Sequence, residues 1–278
     1  MNREAPIGIF DSGYGGLSVF KEIQEQLPEY SYIYLGDNAR APYGTRSFSE
    51  IFDFTLQAVE FLFQKGCQLV ILACNTASAQ ALRTIQQNYL PKHFPDRRVL
   101  GVIRPCTELI GEFAPSGHLA ILGTEATVNS NSYGIEAKKF SPATKVTQWP
   151  CLQWVSLVEA GLSNRLKMNQ IIKADLERIL RHDPKTEAIV LACTHFSLLE
   201  SVILKHLPSH IRVIHQGPVI AKALEIYLQK HHKLEKLCKK NKEVIFYTTG
   251  SEAKFRADAA LFLKIDKKVE KVTLTSTN

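Results

Sequence analysis

Short apolar runs alternate along the chain with longer stretches of helical periodicity. The runs include Pro6-Ile7-Gly8-Ile9-Phe10, Tyr32-Ile33-Tyr34-Leu35, Val70-Ile71-Leu72, Val99-Leu100-Gly101-Val102-Ile103, Leu119-Ala120-Ile121-Leu122, Ile189-Val190-Leu191, Ile211-Arg212-Val213-Ile214 and Val244-Ile245-Phe246-Tyr247. They are bounded by turn-formers or polar residues, which predicts buried strands. Leu17, Phe20, Ile23 and Leu27 then recur at helical spacing, as do Ile51, Phe54, Leu62 and their neighbours over 49–65, where Gly66 ends the helix. Further helices are predicted over 77–89, 107–113, 168–181, 198–207, 219–230 and 252–263. Residues 148–152 read as the lead into a loop or helix. Alternation of strand and helix predicts an α/β fold built on parallel sheets. The Pro-rich and charged segment 91–98 is the candidate domain boundary.

Two of the strands share a grammar. Val70-Ile71-Leu72-Ala73-Cys74-Asn75-Thr76-Ala77 and Ile189-Val190-Leu191-Ala192-Cys193-Thr194-His195-Phe196 each end an apolar run in a cysteine followed by small polar residues. Either cysteine alone reads as a small buried hydrophobe at a strand end. The repetition predicts two halves of similar build, with two thiols facing one small substrate. Each thiol is expected to sit at the start of the helix its motif opens, where partial positive charge favours thiolate over thiol and also favours a bound carboxylate. Asn75, Thr76, Thr194 and His195 add donors suited to such a group.

Asp11-Ser12-Gly13-Tyr14-Gly15-Gly16 joins the first strand to the first helix, at the strand end where doubly wound sheets hold ligands. Asp11 is either a helix cap or a site residue. The turn lacks the spacing of a dinucleotide fingerprint and the Lys-Ser/Thr of a phosphate loop. The polar stretch from Gly36 to Arg46 is longer than a tight connection needs, which is common in loops that carry function.

Composition narrows the class. The 278 residues suffice for one large domain or two. The net charge of +7 is concentrated near the C-terminus, in His231-His232-Lys233, Lys236, Lys239-Lys240, Lys242, Lys267-Lys268 and Lys271. No aromatics interleave these lysines and no nucleic-acid motif accompanies them, so a solvated face is expected over a nucleic-acid partner. The six cysteines are scattered without a C-x-x-C pair, so no zinc ribbon or dithiol motif is indicated. No apolar run approaches the roughly 20 residues of a membrane span, and no signal-type segment opens the chain. A cytoplasmic protein with free thiols is expected.

Phe10-Asp11-Ser12-Gly13, Gly36-Asp37-Asn38-Ala39-Arg40-Ala41-Pro42-Tyr43-Gly44, Ala73-Cys74-Asn75-Thr76-Ala77 and Ala192-Cys193-Thr194-His195-Phe196 together resemble glutamate racemases, of the aspartate/glutamate racemase superfamily. Gly101-Val102-Ile103-Arg104-Pro105, Gly123-Thr124-Glu125-Ala126-Thr127-Val128 and Tyr247-Thr248-Thr249-Gly250 fit the same pattern, so the likeness spans nearly the whole chain. It implies two α/β domains related by pseudo-twofold symmetry, residues 1–98 with 212–278 and residues 99–211, and an active site at their interface. It further implies a homodimer that interconverts L- and D-glutamate without cofactor or metal and supplies D-glutamate for peptidoglycan. Cys74 and Cys193 match the two acid/base residues, Asp11 and His195 their assistants, and Glu159 a further acidic group. Asp11, Ser12, Tyr43, Gly44, Asn75, Thr76, Thr194 and His195 match substrate contacts, with Thr124 and Thr127 as additional candidates. The chain departs from the pattern at Ser197 and Leu152, where proline is usual. It departs again at Cys106, where glycine is more familiar, and at His215-Gln216-Gly217-Pro218, which replaces a more acidic segment.

The chemistry suits thiols. The α-hydrogen of an amino acid is a very weak acid, and no lysine lies in a recognisable pyridoxal-phosphate motif. Two side chains on opposite faces, one thiolate and one thiol, can remove and return the proton. The reference pKa of cysteine keeps both forms accessible near neutral pH.

Overall fold

The structure is a computed structural model, and it describes residues 4–161, 165–263 and 268–275. Lys267 of the basic cluster lies outside the described residues. Among the described residues ten strands form two sheets in which every strand pair is parallel. The first sheet contains β1 (Ile7–Asp11), β2 (Tyr32–Gly36), β3 (Leu69–Leu72), β4 (Arg98–Gly101), β9 (Val244–Thr248) and β10 (Val269–Lys271), in the order β10-β9-β2-β1-β3-β4. The second contains β5 (His118–Gly123), β6 (Lys145–Pro150), β7 (Ala188–Ala192) and β8 (Arg212–Ile214), in the order β6-β5-β7-β8. Central strands such as β1, β3 and β7 are buried along their whole length, as parallel strands covered on both faces must be. Apolar cores occupy both faces of both sheets.

The order β6-β5-β7-β8 repeats the order β2-β1-β3-β4 strand for strand. The expected duplication is therefore present at the level of topology. It also moves the boundaries read from the sequence. β4 closes the first sheet beside β3, and β8 closes the second beside β7. The chain thus crosses after Gly101 rather than before Val99, and returns after Ile214 rather than before Arg212. The proline-rich segment at 91–98 precedes the last strand of a sheet, and is not the junction between sheets.

Two strands escape the sequence pattern. β6 and β10 are edge strands, half-buried or exposed throughout in β6 and with Val269 alone buried in β10, so no solid apolar run announces them. Pro150 ends β6 where an edge tolerates a missing donor. The helix expected over 77–89 is broken into α3 (Asn75–Gln80), a short turn at Leu82–Thr84 and a π-helical turn at Ile85–Tyr89. By contrast α1 (Leu17–Gln26) and α2 (Phe48–Gln64) fall where the periodicity puts them. Ser47 and Glu50 form a reciprocal capping box at the start of α2. In the basic region Lys239, Lys240, Lys254 and Lys268 pair with Glu243, Glu235, Asp258 and Glu270. Among the described residues no helix is long and apolar enough to cross a membrane.

Candidate active site

Each sheet has one place where successive connections leave in opposite directions. In the first it lies between β1 and β3, and in the second between β5 and β7. A crevice opens outside the carboxyl ends of strands at such points. Asp11 ends β1, Cys74 follows β3, Thr124 follows β5 and Cys193 follows β7. The residues singled out from sequence thus occupy equivalent positions in the two halves.

The loop from Asp11 to Gly16 is the bridge between them. Asp11 is fully buried, and one carboxylate oxygen, Oδ2, accepts from the backbone N–H of Gly13 (3.1 Å) and Gly16 (2.9 Å). The hydroxyl of Thr194, from the other half, donates to Oδ1 at 3.5 Å. Ser12 Oγ lies 3.4 Å from Cys74 Sγ. Tyr14 meets the His195 ring edge-on, with centroids 5.3 Å apart. A side chain at Gly15 would strike Thr194 and His195, so glycine lets the two halves close on each other there.

Cys74 caps α3, and its Sγ accepts from Ala77 N–H at 3.5 Å, as the sequence predicts. Cys193 does not cap an α-helix. It precedes a 3₁₀ turn, Thr194–Leu199, and makes no capping bond. Its sulfur lies 3.9 Å from His195 Nδ1. Burial opposes the expected pull of a helix N-terminus towards thiolate. Burial, then the charge of Asp11, pushes the Cys74 thiol up to about 11. Burial raises Cys193 further, with Cys74, Asp11 and Glu159 adding repulsion. The two sulfurs, Asp11 and Glu159 therefore share one electrostatic neighbourhood, and desolvation outweighs the backbone donors.

His195 is buried and its imidazole is pushed down to about 4, so the ring is neutral at physiological pH. Glu159 Oε1 lies 3.7 Å from Nε2, an ion pair only if the ring takes a proton. Burial also raises Glu159. The ring therefore spans the two groups, with Nδ1 towards the Cys193 sulfur and Nε2 towards Glu159.

Thr76, Thr124 and Thr127 bring three hydroxyls together, at 2.9 Å between Thr76 and Thr124 and 3.0 Å between Thr124 and Thr127. Gly44 packs against Thr124, and its carbonyl accepts from Ala126 N–H. The Tyr43 hydroxyl donates to Asp37, which also takes bonds from Arg40 Nε (2.7 Å) and Thr249 Oγ1 (2.7 Å). This anchors the long loop after β2 beside the crevice. Asn75 is engaged with Gln216 and Tyr133, two residues the sequence reading did not assign to the site. Among the described residues no cluster of three or more His, Cys, Asp or Glu could hold a metal.

Burial raises Asp11 to about 6, against an ordinary value of 3.8, with the Gly16 and Gly13 N–H bonds opposing. A carboxyl raised on folding destabilises the folded state as it ionises. The penalty is absent below 3.8, grows up to about 6 and is full above that. Asp11→Asn should therefore stabilise the protein by about 2–3 kcal/mol at pH 8 and by little at pH 4. Urea unfolding at pH 4, 6 and 8 checks this, and a gain that is equal at all three refutes it.

The sequence profile of the Asp/Glu/hydantoin racemase family matches residues 7–224. A glutamate racemase of Paracoccus denitrificans is 37% identical over 268 residues, covering 93% of this chain and 96% of that protein. The solved glutamate racemase isoform of Bacillus anthracis superposes with a TM-score of 0.88 at 33% identity, covering 97% of this chain and 98% of its own. The Francisella tularensis glutamate racemase, solved in complex with D-glutamate, gives 0.84 at 32% identity, with 98% of each chain covered.

Proposed function

The chain belongs to the Asp/Glu/hydantoin racemase family, and from that premise we propose that it interconverts L- and D-glutamate by a two-base mechanism. The observation that carries this reading is the pair of buried cysteines at equivalent switch points of a repeated topology. The Francisella relative's complex with D-glutamate supports the substrate.

In this reading one sulfur, as thiolate, takes the proton from Cα. The electron pair of the broken C–H bond delocalises into the α-carboxylate. The other sulfur, as thiol, delivers its proton to the opposite face of Cα, and the two exchange protonation states. Asn75, Thr76, Thr194 and nearby backbone N–H groups would hold the carboxylate as charge develops on it. The raised thiols make the empty pair largely neutral. A substrate ammonium between them supplies the positive charge that makes one thiolate favourable on binding. Neutral His195 assists Cys193, and Asp11 serves the Cys74 side or holds the ammonium. The product would feed peptidoglycan synthesis.

Polarimetry with single enantiomers of glutamate, aspartate and other amino acids tests the substrate. Rotation should decay with either glutamate enantiomer, and in deuterium oxide the product should carry deuterium at Cα. Decay with aspartate but not glutamate would overturn the assignment.

A further inference from the structure

Beside Cys74 lies a polar cluster of which the catalytic reading uses only Asn75. Tyr133, from the helix Ser132–Phe140 of the second half, donates its hydroxyl to Asn75 Oδ1 at 2.6 Å. Asn75 Nδ2 donates to Gln216 Oε1 at 2.6 Å. Gln216 Nε2 donates back to Tyr133 Oη at 2.6 Å and also reaches Cys106 Sγ at 3.3 Å. The three polar side chains make a closed ring in which each donates once and accepts once. Flipping Asn75 alone would set acceptor against acceptor, and flipping Gln216 alone donor against donor, so the ring fixes the two carboxamides relative to each other. Asn75, Tyr133, Gln216 and Cys106 are all buried.

The members come from four segments. Asn75 opens α3 of the first half, and Tyr133 sits in the second. Cys106 follows the outward crossing and Gln216 follows the return. Gly217 allows this arrangement, because a Cβ there would come within 2.7 Å of Glu22 Cγ and 3.2 Å of the Ser18 carbonyl on α1. The start of the helix Gln216–Lys230 is therefore seated hard against α1.

We propose that Gln216 and Tyr133 are positioning residues for Cys74, because the ring they close across the two halves sets the first turn of α3 in the orientation that presents this sulfur to substrate. Asn75 is the residue bonded to Cys74, and the Ala77 N–H that Cys74 Sγ accepts lies in the same turn. A rotation of that turn would move the sulfur and its donor together, and a misplacement of about 1 Å at a reacting group can cost about 100-fold in rate. This inference rests on the racemase reading for its catalytic readout only.

The test uses Gln216→Met, Tyr133→Phe and the double variant, each as purified folded enzyme. Both single variants should lower kcat about tenfold or more, with KM within about threefold. Because the enantiomers have equal free energy, kcat/KM must fall equally from either side, which serves as an internal control. The double variant should be no worse than the poorer single within about twofold, because breaking a ring once releases it. An unchanged kcat in both single variants, with only Tm lowered, would reduce the ring to a structural role and overturn the proposal. Additive losses would overturn it as well. If Gln216→Met does not fold, Tyr133→Phe, which removes one oxygen, decides. A second arm needs no turnover: iodoacetamide alkylation resolved by peptide mass spectrometry. The rate at Cys74 should change about threefold or more in either variant, with Cys193 unaffected. Should the native protein fail to racemise glutamate, the function falls and this arm judges the ring alone. Unchanged alkylation at Cys74 would then refute it.

Discussion

Cys74→Ser and Cys193→Ser should each lower racemisation by about 10³-fold or more, yet leave chemistry on one face of the substrate. A serine hydroxyl holds its proton far more tightly than a thiol, so it cannot act as the base in a site that already disfavours anions. The remaining cysteine can still take a proton from the face it adjoins. It then has no partner to deliver one to the other face. A glutamate analogue with a leaving group at Cβ exposes this, because elimination needs the abstraction and no returned proton. Each variant should eliminate from one enantiomer, and the two variants should prefer opposite enantiomers. Polarimetry and detection of the released leaving group read the two activities separately. Full racemisation by either variant, or the same enantiomer preferred by both, contradicts the two-base scheme.

Gly16→Ala should unfold or inactivate the protein although its backbone suits alanine. Gly16 has φ −60° and ψ −13°, an ordinary right-handed conformation. The obstacle is space, because the new Cβ would lie 2.5 Å from Asp11 Cβ and 2.7 Å from its Cγ, with Tyr34 Oη at 3.0 Å. Asp11 is fully buried and held by the Gly13 and Gly16 N–H groups, so it cannot swing away without losing both bonds. The expected cost is about 2 kcal/mol or more in stability, and about 100-fold in kcat for whatever folds. Gly13→Ala is the control in the same loop, since its nearest neighbour would be Asn38 Nδ2 at 3.6 Å. Chemical denaturation should find that control near neutral, and equal stability in the two variants would refute the steric account.

Several features were legible before any coordinates. The apolar runs at β1, β3, β5 and β7 declare themselves because strands buried on both faces need no polar positions. The paired Ala-Cys motifs marked the thiols, and their small polar neighbours marked Asn75, Thr76, Thr194 and His195, whereas Thr124 and Thr127 were candidates only through the family resemblance. The edge strands β6 and β10 were not legible, because half-exposed residues leave no pattern to read. Tyr133 carried no signal of its own. Gln216 carried none either.

Residue order alone determined the alternation of strand and helix, the duplicated cysteine motif and the set of side chains from which a site could be built. These depend on periodicities of a few residues, which local sequence carries. Only the tertiary structure decided that β4 and β8 close their respective sheets, that desolvation raises both thiols against the pull of nearby N–H groups, and that Asn75, Tyr133 and Gln216 close a ring. The ring's partners stand 58, 83 and 141 positions apart. Burial and hydrogen-bond closure are set by which distant segments exclude water from one another, a quantity that no local stretch of the chain contains.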